Sequence, residues 1–385
     1  MAIKLSRRCA LITQSEIRAM SLACDAVAGV NLAQGVCDTP VPTEVIAGAK
    51  RGMDEGINSY TRYDGIASIR RAVAGKMKSL YGLDFDPENE VVASAGSTGA
   101  FYSACLALLD PGDEVILFEP FYGYHVATLE AVEVVPKFVR LNAPDWSFDP
   151  AALRAAIGPK TKAIMVNTPA NPSGKVFSRA ELEIVAAVAR ERDLIVFTDE
   201  IYEHFVYDGR SHLPPATLPD IRERCVTISG ASKTFSVTGW RIGYAVAKPE
   251  WARMIGYMSD LVYVCAPAPL QVGVAAGLTE LPAAYYEGLR ADYAAKRAKV
   301  CAALEKAGLP PVSPQGAYYI LADVTRLPGR TGKERAMHLL ERTGVAAVPG
   351  EAFYAKPADG AGLARFCYAK TDADLDDACR RLARL

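Results

Sequence analysis

From about residue 90 the chain repeats one theme: a short apolar, β-branched run, a cluster of turn residues, then a longer helical pattern. Apolar runs alternating with helices are the signature of an α/β fold, in which most strands run parallel and are joined by right-handed crossovers. The runs that predict strands are 91–95, 114–119, 162–166, 194–198, 226–229 and 242–247. Helical patterns between them include 99–109 and 180–192, where Leu182, Val185 and Val188 mark one face. Beyond about residue 285 the texture changes to an alanine- and charge-rich helical stretch, 289–308, followed by strands near 317–323 and 364–368. At 385 residues the chain is long for one ordinary domain. The expectation is a large domain, 46–284, with a mostly parallel sheet flanked by helices. A smaller, discontinuous α+β domain would be assembled from 1–45 and 285–385.

Charge excludes several kinds of partner. Lys and Arg total 43 against 44 Asp and Glu, a net charge of −1, so no general field attracts nucleic acid or an anionic membrane. Two 19-residue stretches lack charge, 91–109 and 261–279, but Gly96 to Gly99 interrupt the first and Pro267 and Pro269 the second. The basic N-terminal stretch, 1–18, has an apolar run of only four residues, 9–12, too short for a signal peptide. Nine scattered cysteines without C-x-x-C spacing read as buried free thiols, neither a disulfide frame nor a zinc site. No metal is expected, His125, His204, His212 and His338 receive no role, and the location expected is the cytoplasm.

In an open parallel sheet, ligands bind beyond the carboxyl ends of the strands. After 91–95 comes Gly96-Ser97-Thr98-Gly99 at a helix start, a place for a phosphate or simply a tightly packed turn. After 114–119 comes the aromatic cluster Pro120-Phe121-Tyr122-Gly123-Tyr124, either packing or a ring for a flat cofactor. After 162–166 a proline-rich turn contains Asn171, and after 194–198 stands Asp199, an acid that needs a cationic partner at the end of an apolar strand. After 226–229 comes Gly230-Ala231-Ser232-Lys233-Thr234-Phe235, with Arg241 eight residues past Lys233. Each signal alone has a bland reading. Together they supply what pyridoxal 5′-phosphate requires: an amine for a Schiff base, a carboxylate for the ring nitrogen, donors to the phenolic oxygen, a stacking ring and an anion pocket.

With these residues in hand, the chain resembles the class I/II pyridoxal-phosphate aminotransferases of the aspartate aminotransferase fold type. The motifs are Asn167-x-Pro-x-Asn171-Pro-x-Gly174, Asp199-Glu-Ile-Tyr202, Ser232-Lys233-Thr234-Phe235 and Gly239-Trp-Arg241-Ile-Gly243, in this order. The likeness extends from Gln34-Gly35 to Arg365-Phe366. It implies that Lys233 carries the cofactor and then shuttles the substrate proton, and that Asp199 pairs with the ring nitrogen. Asn171 and Tyr202 would hydrogen-bond the phenolic oxygen, and Tyr122 would stack on the ring. Ser97, Thr98, the Gly99 amide and Arg241 would hold the phosphate. Tyr60 would reach the phosphate site of a neighbouring subunit, making a homodimer with shared active sites. Arg365 would grip the substrate α-carboxylate, and Gly35 would sit on a mobile N-terminal segment that closes over the substrate. Tyr122 and Asn171 would contact substrate as well.

Two departures from the family pattern matter. Many relatives place a phosphate-binding serine three positions before the lysine, where this chain has Gly230, so Ser229 and Ser232 are both candidates. Relatives specific for dicarboxylates carry a second arginine in the region matching 262–269, yet no Lys or Arg occurs between Asp260 and Glu280. Neutral, aromatic or broad substrates follow, with Tyr63, Tyr263 and Tyr318 as candidate side-chain contacts and core packing as their alternative. The expected function is an aminotransferase that moves an amino group between an L-amino acid and a 2-oxo acid by a ping-pong mechanism. A cysteine–sulfur β-lyase would use the same Lys233, Asp199 and Arg365 and is the alternative. A regulator without activity would be expected to append a DNA-binding domain, for which no residues are spare.

Overall fold

A computed structural model describes residues 4–12, 14–219 and 221–385, so positions 1–3 and 13 of the basic N-terminal stretch lie outside the described residues. Its centre is a seven-stranded sheet: β1 (Val91–Ala95), β2 (Glu114–Glu119), β3 (Val135–Arg140), β4 (Thr161–Asn167), β5 (Ile195–Asp199), β6 (Cys225–Gly230) and β7 (Ile242–Val246), in the order β1-β7-β6-β5-β4-β2-β3. Alternate side chains of one strand bury on opposite faces. Phe197 of β5 joins a core layer with Phe101, Leu117 and Met165, while Val196 joins a layer with Ile116, Ile164 and Leu182. A strand covered on both sides is apolar throughout, which is why these runs stand out in the sequence.

The α/β class holds, with two differences in detail. β3 was not expected; Pro136 and Lys137 weaken its strand pattern, and it occupies the sheet edge, where a proline, which has no N–H to donate, and a lysine are tolerated. β7 runs antiparallel to both β6 and β1. Only residues 231–241 link β6 to β7, too few for a helical crossover, so the chain reverses.

The flanking helices include α1 (Glu16–Ala26), α2 (Thr43–Asp54), α3 (Ala67–Tyr81), α4 (Gly96–Leu108), α5 (Gly123–Ala131), α6 (Arg179–Glu191), α7 (Pro249–Tyr263), α8 (Ala268–Glu280) and α9 (Ala283–Lys306). Ser178 and Glu181 form a capping box that fixes the start of α6. Most of the uncharged stretch 261–279 is α8, which packs closely on α2: a Cβ on Gly48 would lie 2.7 Å from that of Ala276. Among the described residues no helix is long and apolar enough to cross a membrane.

After α9 the chain forms a four-stranded antiparallel sheet, in the order Val348–Pro349, Leu363–Cys367, Tyr319–Asp323, Pro311–Val312. The N-terminal segment packs here: Val30–Asn31 pairs in parallel with Val345–Ala346, and α1 buries Met20 and Cys24 beside Ala346, Val348 and Phe353. None of the nine cysteines is joined to another; five are buried, Cys265, Cys301 and Cys379 are half-buried and Cys9 is exposed, so the expectation of uniform burial fails at four positions.

Candidate active site

A cavity of about 510 Å³ opens beyond the carboxyl ends of β4, β5 and β6, where a parallel sheet places its ligands. Lys233 reaches it from the loop after β6, and its Nζ donates to the Gly35 carbonyl at 3.1 Å. Burial pushes the Lys233 ammonium below its ordinary range, outweighing an opposing pull from Cys37 and Cys367, and Arg241 and Arg365 add smaller pushes the same way as burial. A neutral amine is the form that condenses with an aldehyde. Gly35 has no room for a side chain, because a Cβ there would overlap the Tyr319 hydroxyl.

Asp199 ends β5 in the same cavity and is 6% exposed. Its Oδ1 accepts from the Ile201 amide at 3.2 Å, and its Oδ2 lies 2.9 Å from His125 Nε2. A carboxylate can only accept, so this pair requires the ring proton on Nε2. His125 in turn packs edge-on against Tyr122 and Phe101. Burial raises the phenols of Tyr122 and Tyr202 above their ordinary range, so both remain protonated donors. The Tyr202 hydroxyl lies 3.0 Å from that of Tyr319. The Asn171 amide N–H donates to Asn167 Oδ1 at 2.8 Å, which fixes the proline-rich turn after β4.

At the other end of the cavity, Ser97 and Thr98 stand in the first turn of α4. The residue before that helix is Ala95, which has no side-chain acceptor, so the first-turn amides keep their donors for an anion. The Arg241 guanidinium lies against this turn so closely that a Cβ on Gly96 would collide with it. Gly243 is required by the same packing, since its Cβ would overlap Gly96 and the Ser97 amide.

Arg365 is fully buried. Its Nη1 donates to Asn171 Oδ1 at 2.9 Å and its Nη2 to the Ala33 carbonyl at 2.6 Å, while its Nε has no partner. The guanidinium is sandwiched between the rings of Tyr319 and Phe353, at 4.3 and 5.1 Å. No carboxylate among the described residues pairs with it. Desolvating such a cation costs on the order of several kcal/mol unless an anion completes the site. An unpartnered buried N–H on a cation lining a cavity fits an incoming carboxylate. Amine, buried acid, phenolic donors, uncapped helix start and two arginines without a carboxylate partner among the described residues together fit pyridoxal 5′-phosphate and an amino acid.

Of the residues singled out in the sequence, Gly35, Ser97, Thr98, Tyr122, Asn171, Asp199, Tyr202, Ser232, Lys233, Arg241 and Arg365 all line this cavity. Ser229 does not: its hydroxyl donates to Glu203 at 3.0 Å and to the Glu200 carbonyl at 3.3 Å, behind the cavity, which leaves Ser232 as the serine facing it. Gly99 and Tyr60 also lie outside the lining, and Tyr60 is 80% exposed. Tyr63, Tyr263 and Tyr318 are not in it either; Tyr63 packs on Tyr257, Tyr263 donates to Ser259, and Tyr318 is buried beside Cys37. The aromatic walls are instead Tyr124, Tyr319 and Phe101. His125 is the residue the sequence reading missed; its position three residues after Tyr122, at the start of α5, was the available signal. Among the described residues no cluster of His, Cys, Asp and Glu could hold a metal ion.

Residues 27–382 match the family described as aminotransferase class I and II. A Mycobacterium tuberculosis protein named as an N-succinyldiaminopimelate aminotransferase is 37% identical over 378 residues, covering 95% of this chain and 94% of its own. Human kynurenine–oxoglutarate transaminase 3 is 33% identical, covering 91% and 83%. Among solved structures, the M. tuberculosis N-succinyldiaminopimelate aminotransferase superposes with a TM-score of 0.94 at 35% identity, covering 99% of each chain. Escherichia coli YbdL, described with a methionine aminotransferase function, gives 0.95 at 28% identity over 100% of both.

Proposed function

The chain belongs to the aminotransferase class I and II family, and on that premise we propose how its own side chains carry the reaction and what it acts upon. It is a pyridoxal-phosphate-dependent aminotransferase, moving an amino group from an L-amino acid to a 2-oxo acid in two half-reactions. Bound pyridoxal phosphate supplies an electron sink conjugated to the substrate Cα.

Arg365 takes the substrate α-carboxylate with its free Nε and an Nη, and this fork sets the direction of the Cα–H bond. Lys233 Nζ would remove the proton from Cα; burial, which lowers its basicity, favours the neutral amine that can accept it. Asp199, held by His125, would keep a proton on the ring nitrogen. Tyr202 and Asn171 would donate to the phenolic oxygen, and Tyr122 would stack on the ring. Ser97, Thr98, Ser232 and Arg241 would hold the phosphate. The reading is carried by one observation: Lys233, Asp199 and Arg365 meet in a single cavity although 34 and 132 residues separate the lysine from the other two.

We propose neutral or aromatic amino donors. The Tyr122, Tyr124, Tyr319 and Phe101 rings support this, as does the lack of basic residues in 261–279. α1 contributes Arg18 and Asp25, of opposite charge, to the cavity lining. We further propose a homodimer in which Tyr60 completes the neighbour's phosphate site, supported by its exposure and by exposed Leu261, Val262 and Tyr257. The division into 46–284 and a closing unit of 1–45 with 285–385 is supported by the pairing of Val30–Asn31 with Val345–Ala346. The unjoined thiols favour a reducing compartment, which we take to be the cytoplasm.

The test is a panel of amino acids and 2-oxo acids. Exchange that depends on the oxo acid is expected. Pyruvate, ammonia and sulfide released from cysteine without any acceptor would identify a β-lyase instead.

A further inference from the structure

The turn that carries Asp199 and Tyr202 has a rear face. Asp199 and Tyr202 line the cavity, whereas Glu200 and Glu203, each one residue later, are buried and do not. Glu203 is clamped from three elements. Lys76 Nζ of α3 donates to its two oxygens at 2.7 and 2.8 Å, Tyr81 of α3 donates at 2.6 Å, Ser229 of β6 at 3.0 Å and Tyr244 of β7 at 3.4 Å. Lys76 also donates to the Tyr244 hydroxyl of β7 at 2.6 Å. One carboxylate thereby ties α3, β6 and β7 to the residue next to Tyr202.

Stability alone gives little reason for such a pair, because apolar side chains of similar volume commonly replace a buried ion pair without loss. What an apolar side chain does not supply is direction. Several short bonds to one carboxylate fix the rotation of the turn, and so the line along which the neighbouring phenol points.

We propose that Glu203, clamped by Lys76, is a positioning residue for the aminotransferase reaction, holding the Tyr202 hydroxyl on the cofactor's phenolic oxygen. This rests on the role given to Tyr202 above. Besides Lys76, Tyr81 and Tyr244, the groups facing Glu203 are His204, His212 and Tyr286 of α9. Burial raises the Glu203 carboxyl, and Lys76 with the two histidines more than reverses this, holding it well below the carboxylate range. The clamp keeps its charge at neutral pH, so a pH midpoint read from the cofactor reports the site and not the clamp.

The experiment is a double-mutant cycle on the holoenzyme between Tyr202→Phe and the charge-balanced pair Lys76→Met/Glu203→Gln. It reads the pH midpoint of the cofactor's visible band, the cofactor dissociation constant, and kcat against KM. Losing the phenolic donor makes the ring oxygen more basic, so Tyr202→Phe raises the midpoint by about one unit. The pair replacement is expected to raise it in the same direction and to lower kcat severalfold with KM little changed. On the Tyr202→Phe background it should add nothing to the midpoint. An additive shift, or an unmoved midpoint in the pair variant, overturns the inference while leaving Tyr202 in place. An unmoved midpoint in Tyr202→Phe alone removes Tyr202 from the site, and the inference with it. If the pair variant does not fold, Glu203→Asp, which keeps the charge and shortens the reach, replaces it in the same cycle with the same outcomes.

Discussion

Arg365 is costly to bury, and the substrate carboxylate proposed for it would offset that cost. Its buried guanidinium has two neutral acceptors, two aromatic faces and an unused Nε. Arg365→Lys removes the planar fork and keeps a charge, so apparent substrate KM should rise about 10- to 100-fold, the worth of one or two charge-assisted bonds, with the cofactor still bound. Steady-state kinetics with a saturating acceptor checks this; an unchanged KM would take Arg365 out of the substrate site. His125→Ala leaves Asp199 without its ring partner, and slower Cα deprotonation is expected in stopped-flow half-reactions, whereas a wild-type rate would make His125 mere packing. Lys233, Asp199, Asn171 and Arg241 were legible in the sequence because each closes an apolar strand or its following turn, and strand ends are where such sheets bind ligands. His125 was not, because its partner lies 74 residues away and its own neighbours signal only an aromatic turn. Ser229 could not be told from Ser232 by counting; only the direction of the side chain at the end of β6 separates them.

Among elements, the proposed anion pocket depends on the contact between β7 and the start of α4. Gly243→Ala places a methyl group into Gly96 and the Ser97 amide, so the helix start must shift. Weaker retention of cofactor on dialysis is expected, with thermal stability of the apo form lowered by a few degrees; retention equal to wild type would show that the pocket tolerates the shift. The segment after Tyr202 adds a pH dependence. Burial pushes the His204 imidazole down to about 4, below its ordinary 6.5. The unfolded chain therefore binds this proton more readily than the folded one, so His204 contributes stability that is complete above pH 6.5 and is lost as pH falls toward 4. The fall of Tm across that window should be shallower in His204→Phe, and an identical profile would contradict the assignment. Strand β3 and the reversal at β7 were the elements least legible in the sequence. An edge strand lacks the continuous apolar run of a covered one, and direction depends on linker length and not on strand composition.

For the whole molecule, the exposed Tyr60, Leu261 and Val262 predict a pairing surface, and shared sites give it a functional test. Tyr60→Ala and Lys233→Ala variants, each impaired alone, should recover about a quarter of wild-type activity on mixing after subunit exchange, because half the dimers then contain one intact site. No recovery in a preparation shown by light scattering to be dimeric and exchanged would mean that each chain builds its site alone. Lys233 is the residue on which every other assignment depends. Borohydride reduction of the pyridoxal-phosphate-loaded protein, followed by peptide mapping, should place the reduced pyridoxyl group on Lys233 and leave Lys233→Ala unlabelled at every lysine. A label on another lysine, or none in the wild-type protein, would contradict it.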